Sequence, residues 1–132
     1  MPTRNREDYL RGLYILEEEK GTIKSVDLAN YLNVSKPSVS EMVKTLDKEG
    51  LVAYQRYGDL RFTKKGKKLA ERLTKNHRII ELFLKDMLHL DAKHVHEEAH
   101  RLEHAFSDAS IEKIQKLLGH PRTDPHGKPI PQ

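Results

Sequence analysis

The chain has 132 residues and a net charge of +4 at pH 7; 33% of its residues are charged, 6% are aromatic, and it has no Cys and no Trp. That length allows one modest core or two minimal ones, and zero Cys excludes a disulfide framework and a thiolate metal site. No apolar run approaches the roughly 18 residues of a membrane span, and the opening MPTRNRED lacks the apolar core of a signal peptide, so a cytoplasmic protein without a membrane partner is expected.

Charge divides the chain. Residues 1–76 carry 16 Lys/Arg against 11 Asp/Glu, whereas residues 77–132 carry 8 against 9 and hold all eight His. A basic part beside a histidine-rich part suggests a polyanion contact in the first and a titratable or metal-linked site in the second. Lysine-rich surfaces are also often only solvated.

In chain order, DYLRGLYILEEEKG (8–21) predicts a helix, with Tyr9, Leu10, Leu13 and Leu16 towards a core and Gly21 as its stop. Ser25 is the expected cap of a second helix that turns Val26, Leu28, Ala29 and Leu32 inward. After the polar turn Asn33-Val34-Ser35, Ser35 caps a third helix with Pro37 in its first turn. That helix places Val39, Met42, Val43 and Leu46 inward and stops at Gly50. LVAYQRYGDLRFT (51–63) changes to a period of two and contains a Gly58-Asp59 turn, so a β-hairpin is expected. Thr63 then caps one or two helices over KKGKKLAERLTKNHRIIELFLKDMLH. Two more follow, over about 92–106 and over DASIEKIQKLLG, where Ile111, Ile114, Leu117 and Leu118 form a stripe. The tail from about 120, HPRTDPHGKPIPQ, is rich in Pro and Gly and reads as irregular.

Helix, helix, short turn, helix, hairpin is the order of a winged helix-turn-helix, whose third helix enters the DNA major groove. The expected fold is therefore mainly α, with a DNA-binding domain over 1–63 and a helical dimerisation and metal-binding domain over 64–132. Candidate DNA-contacting residues are Ser35, Lys36, Pro37, Ser38, Ser40, Glu41, Lys44 and Lys48 on the third helix, with Arg56 and Arg61 near the hairpin tip. The helix N-terminus and its lysines suit phosphate oxygens. A protein-interaction winged helix is the competing reading.

His96-Glu97-Glu98-Ala99-His100 reads H-E-x-x-H, a helical zinc signature. On a helix turning about 100° per residue, His96, His100, Glu103 and His104 share an arc of about 100°. Val95, Ala99, Leu102 and Phe106 occupy a separate core arc. His77 and Glu81 are four apart on their own helix. Helix-surface His and Glu can be merely polar, but six such residues in two matched sets favour a metal. Nitrogen and oxygen ligands suit Mn(II), Fe(II), Co(II), Ni(II) or Zn(II). A metallohydrolase is disfavoured, because Glu103 and Phe106 stand where the longer protease motif needs Gly and a third His.

EDYLRGLYILEE, SKPSVSEMVKTLDKEGLV, KNHRIIELFLKDMLHLD and above all VHEEAHRLEHAFSD resemble the diphtheria toxin repressor family of metal-dependent repressors over nearly the whole chain. The resemblance implies a two-domain form without that family's SH3-like domain. It implies a primary metal position of Asp8, His100, Glu103 and His104, and an ancillary one of His77, Glu81 and His96. The iron type usually has Met and Cys where Asp8 and His100 stand here. The manganese type shares the Asp but has Glu at the positions of His100 and Arg11. Glu41 replaces a glutamine typical of the family. The function implied is a homodimeric, metal-activated repressor of metal-homeostasis genes, not an enzyme, with a palindromic duplex operator as partner and no small organic substrate. Its metal is Mn(II) or Fe(II) first, then Zn(II), Co(II) or Ni(II). A metal-independent winged-helix regulator is the alternative. The helices Arg78–Leu90 and Ile111–Leu118 are the expected dimer contact, because the run Ile79, Ile80, Leu82, Phe83, Leu84, Met87 exceeds one buried stripe.

Overall fold

The computed structural model describes residues 5–55 and 59–132. These fall into two compact units that divide between Glu71 and Arg72.

The first unit opens with α1, Arg6–Lys20, capped by Asn5 in a reciprocal capping box with Asp8 and closed by Gly21 at φ 77°. That left-handed φ suits glycine, which has no Cβ to clash. Strand β1, Ile23–Lys24, leads into α2, Ser25–Leu32. Ser25 does not cap α2: the cap position is Lys24, without a side-chain hydrogen bond. Pairing of Ile23 with Leu60 and Lys24 with Asp59 holds Lys24 extended, so the helix starts one residue after it. Helix α3, Lys36–Lys48, begins as expected, with Ser35 accepting from the Ser38 N–H and Pro37 in the first turn. Strands β2, Val52–Tyr54, and β3, Asp59–Phe62, pair antiparallel, giving the sheet order β1-β3-β2. Gly58 of the expected turn lies outside the described residues.

The core of this unit is Leu10, Leu13, Leu28, Val39, Val43 and Leu46, each at most 1% exposed. Burying side chains of this size contributes about 1.5–3 kcal/mol each. Two inward placements read from the periodicity are less complete. Val26 is 45% exposed, and Met42 is half-buried. Val26 sits in the first turn of α2, ahead of the positions that meet α1.

A single helix, α4, Lys64–Asp86, follows. Its first turn is capped by Thr63, whose hydroxyl accepts from the Gly66 N–H and donates to the Gly50 carbonyl. A side chain at Gly66 would place Cβ 1.8 Å from the Leu51 carbonyl oxygen, so only glycine lets this turn lie against the backbone there.

In the second unit α4 is joined by α5, Ala92–Leu102, and α6, Asp108–Leu117, capped by Asp91 and Ser107. Helix α5 stops at Leu102, earlier than its periodicity predicts, because Ser107 must be extended to start α6. Glu103 and His104 lie in the connecting turn, yet Glu103 N–H still bonds the Ala99 carbonyl, so the first of them keeps helical register. Ile79, Ile80, Leu84, Val95, Ala99 and Ile111 form the core. The apolar run of α4 is thus spent largely inside its own unit. Leu117 is 62% exposed and does not join its stripe. The Pro-rich tail has no helix, but it is packed: Ile130 is 3% exposed, and the Arg78 guanidinium donates to the Pro129 carbonyl at 2.6 Å. Among the described residues no helix is long and apolar enough to cross a membrane.

Candidate metal centre and DNA-reading face

Helix α3 buries Val39, Val43 and Leu46. The same periodicity leaves Lys36, Pro37, Ser38, Ser40, Glu41, Lys44 and Lys48 exposed, with the cap Ser35 beside them. Arg61 is exposed on β3, and Arg56 lies outside the described residues. Some other cations of this unit are paired: Arg6 with Glu49 at 2.8 Å, Lys20 with Asp27, Lys24 with Asp59 and Lys67 with Glu17. Among the described residues, Lys36, Lys44, Lys48 and Arg61 have no such acidic partner. An uncompensated cationic helix face suits a phosphate backbone.

Asp8 is buried in the first turn of α1, where one carboxylate oxygen accepts the Asn5 N–H at 3.0 Å and the other faces Arg11 at 3.8 Å. The capping role is one that the sequence reading missed.

In the second unit α4 places His77 and Glu81 one turn apart, buried on the same face. His96 of α5 meets them: its Nδ1 lies 3.3 Å from His77 Nε2 and 3.5 Å from Glu81 Oε2, while His77 Nε2 is 3.4 Å from Glu81 Oε1. Ligand atoms about 2.1 Å from a tetrahedral ion lie about 3.4 Å apart, so these three fit one divalent ion. His77 Nδ1 is 3.1 Å from Glu103 Oε2. With Nδ1–H donating to that carboxylate, the Nε2 lone pair faces Glu81 and His96, the orientation that metal-ligating imidazoles commonly take.

Glu103 also gathers a second set. Its Oε1 is 3.3 Å from His100 Nδ1 and 3.6 Å from His104 Nε2. Glu103 is 4% exposed in its side chain, against 21% for His100 and 30% for His104. A buried carboxylate with two partly exposed imidazoles suits a hard or borderline cation with access from solvent. Burial pushes Glu81 up, but the hydrogen bond from His96 and the nearby charges of His77, His96 and His126 outweigh it and hold Glu81 below its ordinary value.

A third grouping was not read from the sequence. Asp124 and His126 of the tail lie with Glu81 so that one ligand atom from each falls within 4.8 Å of the others. Asp124 is 6% exposed, accepts the backbone N–H groups of His126 and Lys128 at 2.8 Å, and faces Arg78 at 3.8 Å. The Asp-Pro-His spacing was the available signal, but only the folded tail brings it to Glu81.

The H-E-x-x-H pattern dissolves in this geometry. Its histidines go to different clusters, His96 with His77 and Glu81, His100 with Glu103 and His104. Glu97, the residue a protease would use as base, points outward and pairs with Arg101 at 3.5 Å.

Residues 1–60 match the model of the iron dependent repressor N-terminal DNA-binding domain, and residues 63–132 that of the iron dependent repressor metal-binding and dimerisation domain. The chain is 37% identical over 118 residues to the HTH-type transcriptional regulator MntR of Lysinibacillus sphaericus, covering 89% of this chain and 84% of that one. It is 44% identical to the manganese regulator SloR, with a TM-score of 0.87 over 99% of this chain. It is 35% identical to a manganese-dependent transcriptional repressor solved with manganese, with a TM-score of 0.88 over 97% of this chain. The chain spans 61% and 59% of those two solved chains. A match to a DNA-binding domain followed by a match to a metal-binding and dimerisation domain, with clusters of His and Glu able to hold a metal ion in the second, places the chain in the iron-dependent repressor family of metal-dependent transcriptional regulators, and not among metallohydrolases.

Proposed function

We propose that this chain is a homodimeric, metal-activated transcriptional repressor acting in the cytoplasm on palindromic duplex operators of metal-homeostasis genes. The observation that carries this reading is the convergence of His100, Glu103 and His104, beside that of His77, Glu81 and His96, in the unit that matches the metal-binding domain. Both sets are nitrogen and oxygen only, which suits Mn(II) or Fe(II) and admits Zn(II), Co(II) and Ni(II). Similar proteins named for manganese regulation put Mn(II) first. No membrane and no small organic substrate enters this reading.

Such an ion supplies positive charge and a demand for fixed ligand geometry. His100, Glu103 and His104 would hold it in the second unit, with Asp8 of the DNA-binding unit as a further ligand. His77, Glu81 and His96 would form the ancillary position, with Asp124 and His126 close to the same carboxylate. Sharing one ion between Asp8 and the second unit would restrict how the α3 face is presented. By linkage, DNA would then tighten metal binding by the factor by which metal tightens DNA binding. Exposed Met87, Leu88 and Leu117 supply apolar surface for the partner copy, and a two-fold operator requires that copy.

The test is selection from a random-duplex library after chelation, with and without Mn(II) or Fe(II), at one fixed salt concentration. Enrichment of a palindrome only with metal is the expected result. Equal enrichment in chelator would favour a metal-independent regulator and reduce the histidine clusters to a structural role.

A further inference from the structure

We propose that Glu41 reads a cytosine in the major groove and sets the base preference of this protein at one position of each operator half-site. The inference rests on the DNA-binding reading above and adds a base identity to it.

Pro37, Glu41, Lys44 and Lys48 recur at helical spacing on the exposed side of α3, opposite Val39, Val43 and Leu46. Glu41 is therefore on the face that carries the cations, one turn beyond the capped N-terminus. The N-terminal turns of such a helix meet base edges. Its carboxylate has no ion-pair partner among the described residues, although Lys44 follows at i+3. The Thr45 hydroxyl bonds only the Glu41 backbone carbonyl.

A carboxylate facing DNA is repelled by phosphates and loses its water on entering the groove. Only a base edge that donates without an adjacent acceptor compensates both effects. Ionised Glu is acceptor-only. Guanine offers N7 and O6, both acceptors, and thymine offers the O4 acceptor with a methyl group. Adenine sets its N6 donor beside the N7 acceptor, which suits an amide better than a carboxylate. Cytosine presents the N4 amino donor alone, and it is the base that acidic side chains accept from. The same carboxylate lowers affinity for DNA in general, so Glu41 contributes selectivity more than strength.

The test compares wild type, Glu41→Gln and Glu41→Ala, loaded with Mn(II), for binding to the enriched operator and to its three base variants at each half-site position. Circular dichroism and Mn(II) affinity serve as controls that the fold and the metal clusters are intact. Wild type should prefer C at one position by about tenfold over the other bases. Glu41→Gln should move that preference to A, and Glu41→Ala should flatten it there alone. Both variants should bind non-specific duplex more tightly than wild type at the same salt. An unchanged cytosine preference in Glu41→Ala, or a wild-type operator with no cytosine preference in the α3 footprint, would overturn the proposal. Failure of wild type to enrich any motif in metal or in chelator would instead overturn the DNA-binding reading, and this proposal with it.

Discussion

Each buried side chain of the candidate metal clusters is held by a neighbour that also orients it. His77 is the clearest instance: one ring nitrogen turns to Glu103 at 3.1 Å and the other to Glu81 and His96. Removing an orienting partner typically weakens a metal site about 10–100-fold. His104→Ala removes a proposed ligand rather than an orienting partner and should lower Mn(II) affinity by at least about tenfold, whereas Glu97→Gln should leave it nearly unchanged, because Glu97 pairs with Arg101 on the exposed side of α5. Titration calorimetry reads both, and equal losses would contradict the placement of Glu97. Glu81 carries a pH signature in the metal-free protein. Its folded carboxyl is held below the ordinary value of 4.5, so its stabilisation is complete above that value and is lost as pH falls through the lower, folded one. The gap in thermal midpoint between wild type and Glu81→Gln, measured in chelator, should narrow on acidification below that ordinary value. A gap that widened there would show that the carboxylate is not stabilised in its charged form. These residues were legible in the sequence as types and spacings. Their grouping followed only from the family resemblance, because spacing along one helix says nothing of which imidazole on a second helix comes within 3.5 Å, and the contact of Glu103 with His77 was not foreseen at all.

Caps and close approaches dominate at the level of elements. Ser35, Thr63, Asp91 and Ser107 each accept a backbone N–H at a helix start, and two of them were readable as caps from local sequence. Ser107→Ala should destabilise the second unit by about 1 kcal/mol, visible as a lower midpoint in urea unfolding. Gly66→Ala should cost more, about 1–3 kcal/mol from overpacking, since the new Cβ would meet backbone and not a flexible side chain. Unchanged stability in that variant would mean that α4 starts elsewhere. Strand β1 escaped the sequence reading because two residues show no periodicity, and its existence depends on Leu60 and Asp59, which lie far along the chain. The early end of α5 escaped for a related reason: Leu102 to Phe106 continue the helical pattern, and only the demand of Ser107 for an extended backbone stops it.

For the whole molecule, the decisive question is where the apolar surface goes. Ile79, Ile80, Leu82 and Leu84 are consumed by the core of their own unit, so the richness of that run alone does not argue for a partner. Met87, Leu88 and Leu117 remain exposed. Met87→Glu with Leu117→Glu should shift the protein from dimer to monomer in sedimentation velocity, and palindrome binding should weaken with it while Mn(II) affinity is retained. A variant that stayed dimeric would move the interface elsewhere. From the sequence alone came the mainly helical class, the helix-turn-helix order with its cationic third helix, and the choice of His, Glu and Asp as ligand types. These follow from patterns local in the chain: period, caps and charge. The tertiary structure alone decided that Glu103 lies between His77 on one side and His100 and His104 on the other, and that Asp124 and His126 of the tail come to Glu81. The physical reason is that ligand convergence is a property of distances across packed elements, and the packing that sets those distances is written in no single stretch of sequence.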